Sequence, residues 1–189
     1  MWDQAEEVIR AELGPGERLL WAGRPPLGLI LRAIDVFLIP FSLLWGGFAI
    51  FWEVSVIQGG APLFLALWGV PFVLLGLYLM IGRFIVDARQ RARIFYAVTS
   101  ERIMIVSGLF SRKVKSLSLD TLTDVSLTER GNGAGMITFG PVPPIYGWYA
   151  GAGWPGMGLY GAPCFELPSD ARQVYEVIRS AQRAAKQRS

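Results

Sequence analysis

The sequence has no histidine, a single cysteine, and charged residues at only 17% of its 189 positions. Each shortage removes a class of function. Without histidine, the commonest general base and the commonest metal ligand are both missing. No other set of residues has metal-ligand spacing, so neither a metal nor another cofactor is expected. Cys164 alone cannot form an internal disulfide. The 18 basic and 15 acidic residues leave a net charge of +3, too small a surplus to suggest nucleic acid as a partner. The opening "MWDQAEEVIRAELGPGE" is acidic and amphipathic and lacks the basic n-region of a secretory signal, so no cleaved leader is expected.

Apolar residues take the place of the missing charge. They make up 52% of the chain, with a mean hydropathy of +0.39, above that of an ordinary soluble domain. Two runs concentrate them. Residues 33–52, "AIDVFLIPFSLLWGGFAIFW", carry one charge, and residues 61–82, "APLFLALWGVPFVLLGLYLMIG", carry none. At about 1.5 Å of rise per residue, each reaches across a hydrocarbon layer of roughly 30 Å. Only "EVSVIQGG" separates them, so a transmembrane helical hairpin is expected over residues 33–82.

Arg10, Arg18, Arg24 and Arg32 precede the first run, and Arg83, Arg89, Arg91 and Arg93 follow the second, while the connection has no Lys or Arg. The positive-inside bias then puts both termini in the cytoplasm of a multi-pass inner-membrane protein. Gly69 and Gly76 share a helix face, and with Gly46 and Gly47 they offer a close-packing seam between the helices or between copies. Asp35 is the one charge within a run. It lies near the cytoplasmic edge, three residues from Arg32, so snorkelling and pairing with Arg32 account for it without a transport role.

Beyond the second run the apolar pattern changes to period two. Strands are expected at 94–98, 102–106, 113–119, 123–129 and 136–139, and at "CFEL", with "TSE" and "GNG" supplying turns. "PSDARQVYEVIRSAQRAAKQRS" reads as a helix over 169–186 with Ser169 as N-cap. Its Ala171, Val174, Tyr175, Ile178, Ala181 and Ala185 form one stripe, with Arg172, Arg179 and Arg183 facing water. "GERLLWAGRPP" supplies a further strand ahead of the hairpin. The domain organisation expected is an N-terminal amphipathic helix over 1–13, a first strand within 14–32, the hairpin (33–52 and 61–82), and the rest of a discontinuous cytoplasmic domain over 83–186.

"GERLLWAGRPP", two apolar runs, "FYAVTSERIMIVSGLFSRKVKSLSLDTLTDVSL", "GNGAGMITFGP" and "FELPSDARQVYEVI" together resemble the bacterial PH-like membrane protein family. The resemblance extends from Gly16 to about Ile178. It implies a membrane α+β protein, with the hairpin inserted into a PH-like antiparallel β-barrel or sandwich capped by a C-terminal helix. Binding of lipids or peptides by other PH domains is a fold-level analogy only.

Catalytic readings find little support in the residues. "GNGAG" leads into a strand, with no Lys-Ser or Lys-Thr after it, so it reads as a turn and not as a phosphate loop. Ser111 and Lys113, two apart, are an unremarkable serine–lysine pair. Asp120 and Asp124 suit turn capping, and Cys164 suits a small, partly buried thiol.

Binding is better represented. Arg112, Lys113 and Lys115 cluster at one strand start, where they either meet anionic headgroups or serve as ordinary edge-strand charges. Tyr146, Trp148, Tyr149, Trp154 and Tyr160 fall in one stretch rich in Gly and Pro. These rings call for burial, at the headgroup level, in a partner, or against their own domain. The expectation is a non-enzymatic, membrane-anchored PH-like module that binds membrane lipids, a protein partner or its own copies at the cytoplasmic surface. A membrane-embedded enzyme or a transporter component is the alternative.

Overall fold

The computed structural model describes residues 2–32, 34–108, 112–140 and 163–187. Helix α1 (Trp2–Arg10) leads into strand β1 (Leu19–Gly23). Two long apolar helices follow. Helix α2 is Asp35–Gln58, and α3 (Leu63–Leu77) continues through a π-helical turn (Tyr78–Gly82) into α4 (Arg83–Arg91). Strands β2 (Phe95–Thr99), β3 (Arg102–Ser107), β4 (Lys113–Ser118), β5 (Val125–Glu129), β6 (Gly135–Phe139) and β7 (Cys164–Leu167) come next, and helix α5 (Ala171–Lys186) comes last.

The strands form two antiparallel sheets, ordered β1-β2-β3-β4 and β5-β6-β7. Alternation directs one face of each into a shared core. Tyr96, Val98, Ile103 and Ile105 meet Ile137, Phe139, Phe165 and Leu167 there, and α5 closes over them with Ala171, Val174, Ile178 and Ala181. Phe165 is central, with ring centroids 4.5 Å from Tyr96, 5.0 Å from Phe139 and 5.8 Å from Trp21. Burying such a ring contributes about 1.5–3 kcal/mol. The outer face of the first sheet is also covered. Ala97, Met104 and Val106 lie beneath Ile9 of α1 and its neighbours Val8 and Leu13. Two covered faces explain why Ile103, Met104, Ile105 and Val106 of β3 are all buried.

The start of α5 differs from expectation. Asp170, at φ +57°, precedes the helix, and the Ser169 hydroxyl bonds to its carboxylate at 2.7 Å without capping a backbone N–H. The Ala171 N–H donates instead to the Gly133 carbonyl in the β5–β6 turn, so a tertiary contact replaces the local cap. That turn spans five residues, 130–134, closed by the Arg130 N–H donating to Ala134 O at 2.7 Å.

The two long helices are long and apolar enough to cross a membrane, and most of their apolar length is exposed. A core helix of a soluble protein would be largely covered. Helix α2 runs six residues past Trp52, through most of the expected connection. The helices lie antiparallel along a seam of small residues. Gly46 of α2 lies against Gly76 of α3, and Gly69 of α3 lies against Trp52 and Glu53 of α2. A Cβ on Gly76 would lie 2.8 Å from the Gly46 Cα, whereas one on Gly47 would meet nothing within 4 Å. Gly47 therefore stands outside the seam.

Candidate functional site: the helix-proximal end of the sheets

Register fixes which strand ends face the helices. Phe95 pairs with Val106, Val106 pairs with Val114, and Ser107 pairs with Lys113. Phe95 begins four residues after α4 ends at Arg91. The Lys113 end of β4 therefore lies at the end of the sheet from which the helix pair departs. Gly23, paired with Tyr96, brings the end of β1 to the same place.

Strand β4 is an edge, and Lys113, Val114, Lys115 and Ser116 are all exposed. The Leu119 N–H donates to Glu101 O, which sets the ladder phase: residues 113, 115 and 117 direct their backbone groups at β3, and Val114 and Ser116 direct theirs outward. Lys115 lies opposite Ile105, on the same face as the core. Neither lysine enters an ion pair among the described residues.

Arg112 is differently placed. Its guanidinium pairs with Glu12 at 2.7 Å and donates to Val8 O at 3.2 Å. Part of the expected basic cluster is thus spent on holding α1. Tyr146, Trp148, Tyr149, Trp154 and Tyr160 lie outside the described residues. The stretch that carries them is joined at its roots, where the Phe139 N–H donates to Pro163 O and the Gly140 N–H to Asp124 O.

A charged network joins this end to the helices. Arg32 lies between Asp87 of α4 (3.6 Å) and Glu166 of β7 (3.8 Å). Arg91 donates to Asp87 Oδ2 at 2.7 Å and to the carbonyls of Pro26 and Gly28 at 2.6 and 2.8 Å. One layer deeper, Asp35 accepts from Arg83 at 2.6 Å and from the Arg32 N–H at 2.6 Å. This corrects the expectation that the Arg32 side chain partners Asp35. Asp87 and Glu166 draw the Arg32 guanidinium away, and only its backbone serves Asp35. The π-helical turn assists. The Arg83 N–H reaches back five residues to Tyr78 O, so Leu79 O loses its usual α-helical donor and accepts Arg83 Nε at 2.8 Å.

Other expected residues behave as structure. Burial pushes the Cys164 thiol up, the Glu166 carboxylate adds to the shift, and Arg32 and Lys115 oppose it. A raised thiol pKa is the reverse of nucleophilic activation. Asp120 takes hydrogen bonds from the Ser118 hydroxyl and from the Thr121 N–H. Among the described residues no group of three His, Cys, Asp or Glu could hold a metal ion.

Sequence reasoning missed one constellation. Glu17 accepts from Thr99 Oγ1 (2.6 Å), Arg102 Nε and Nη2 (2.9 Å each) and the Gly14 N–H (2.8 Å). Burial alone would raise this carboxyl, but the hydrogen bonds outweigh it and hold it near 2. The signal was a Glu-Arg pair immediately ahead of an apolar run, in both "GERLLWAG" and "TSERIMIV".

The two antiparallel sheets and the closing helix are consistent with a PH-like α+β fold, and a family model described as "Bacterial PH domain" matches residues 30–143. The chain belongs to the bacterial PH domain family. PH domains are generally non-catalytic binding modules. In this bacterial PH domain both long helices and strands β2 to β6 lie inside the match, while α1, β1, β7 and α5 lie outside it. No curated protein and no solved structure gives a match.

Proposed function

We propose that this chain is a membrane-anchored PH-like module that binds lipid or protein partners at the cytoplasmic face of the inner membrane. The apolar pair, α2 with α3, serves as the anchor. Its outward surface supports this: Phe37, Leu44, Phe51, Leu63, Phe64 and Leu67 are all exposed, as lipid-facing residues would be. Arginines flank both outer ends of the pair and are absent from its connection, which favours both termini on the cytoplasmic side.

The single observation that carries the binding reading is the position of Lys113 and Lys115. They are exposed on an edge strand at the end of the sheet nearest the helices. On an anchored chain that end meets anionic headgroups, where each basic residue contributes about 1 kcal/mol. Tyr146, Trp148, Tyr149, Trp154 and Tyr160 are proposed to take part in binding on their aromatic character alone.

Hydrogen exchange on the full chain in nanodiscs tests this. Anionic lipid is expected to protect residues 113–118 relative to neutral lipid, and the difference should vanish in high salt and in Lys113→Glu plus Lys115→Glu. Equal exchange in both lipids would refute headgroup contact.

A further inference from the structure

Residues 26–32, between β1 and α2, have an unusual arrangement of polarity. Their polar side points inward. Pro26 O and Gly28 O accept from the Arg91 guanidinium, whose side chain is only 5% exposed, and the Arg32 N–H donates to Asp35. Gly28 sits at φ +89°, a conformation open to glycine, and its carbonyl is one of the two that Arg91 holds. The apolar side points outward: Leu27, Leu29 and Leu31 are 48%, 73% and 71% exposed. Water would favour the opposite arrangement. A segment with buried polar groups and exposed leucines suits an apolar solvent.

We infer that this strap lies in the plane of the membrane, its leucines entering the boundary between headgroups and acyl chains. The inference rests on the anchored reading above. Continuity identifies lipid as the occupant. Leu31 stands five residues ahead of the exposed Val36 and Phe37 of α2, and Arg91 ties Gly28 to the end of α4, which also exposes Ile85. The strap thus extends the outward apolar surface of the helix pair around its base. Charge agrees, since Arg89 of α4 and Lys113 and Lys115 of β4 are exposed at this end and suit anionic headgroups beside an apolar insertion. Because Arg91 pins the strap backbone to α4 and Arg32 bridges to Glu166 of β7, strap depth also sets the height of the sheets. β4 is held at the headgroups with no flexible spacer.

Nitroxide labels on the full chain in nanodiscs test this, in a Cys164→Ser background. Labels at Leu29→Cys, and at Leu27→Cys as a second site, are expected to collide more with oxygen than with a water-soluble nickel chelate. A label at Phe41→Cys within α2 reports the anchor itself. Nickel-dominated collisions at both strap sites, with Phe41 oxygen-dominated, would overturn the strap and leave the anchor intact. Nickel-dominated collisions at Phe41 too would overturn both. Strap labels shielded from both reagents would show a protein surface in place of lipid and overturn the inference.

Discussion

The carboxylate of Asp35 and the guanidinium of Arg83 meet at 2.6 Å although 48 positions separate them. Both side chains are almost closed to solvent, at 7% and 6% exposure. Asp35 begins α2 and Arg83 follows the π-helical turn, so this bond clamps the two apolar helices at the base from which the sheets extend. A buried pair of this kind stabilises little in net terms, yet its loss leaves a charge stranded. Arg83→Leu is therefore expected to destabilise the chain by about 3–5 kcal/mol, and Asp35→Leu plus Arg83→Leu should recover most of that. Thermal unfolding in nanodiscs distinguishes these outcomes. A double variant no better than the single one would mean that the pair does more than neutralise itself.

The seam above the clamp depends on two glycines in particular. A methyl at Gly76 would press on the Gly46 backbone, while Gly47 faces open space. Gly76→Ala is expected to push the helices apart and lower the unfolding temperature by several degrees, and Gly47→Ala should leave it unchanged or slightly raised, since alanine favours helix by about 1 kcal/mol. Equal effects at the two positions would contradict the packing.

Glu17 predicts how the β-structure responds to acid. Its folded carboxyl lies near 2, against an ordinary value of 4.5, because four hydrogen bonds favour the charged form. A depressed carboxyl contributes its stability above the unfolded pKa and loses it as pH falls through the folded one. The contribution, roughly 3 kcal/mol, is complete above about pH 5 and fades from 4.5 towards 2. Glu17→Gln should remove it at neutral pH and flatten this part of the stability curve. A variant with the wild-type acid profile would show that another group governs it.

The aromatic stretch offers a separate test. Trp148→Ala plus Trp154→Ala is expected to weaken membrane or partner association while leaving the thermal transition of the sheets in place. Collapse of the transition would assign them to the core instead.

Local periodicity made much of this molecule legible in the sequence. Two uninterrupted apolar runs specify two long helices, because a buried or lipid-solvated backbone must satisfy its own hydrogen bonds. Runs rich in β-branched and aromatic residues mark β2 and β3, and period-two alternation marks β4, each to within a residue or two, while the Ala171–Ala185 stripe marks α5, because such patterns are written within a few neighbouring positions. The partnerships were decided by tertiary structure alone. Arg32 stands three residues from Asp35 but turns to Asp87 and Glu166. Arg112 belongs by position to a basic strand start but is paired with Glu12. Leu27, Leu29 and Leu31 form an outward strap only because Arg91, some sixty positions along the chain, holds the carbonyls beneath them. A long charged side chain can reach several candidates, and only the fold determines which one waits within hydrogen-bonding distance.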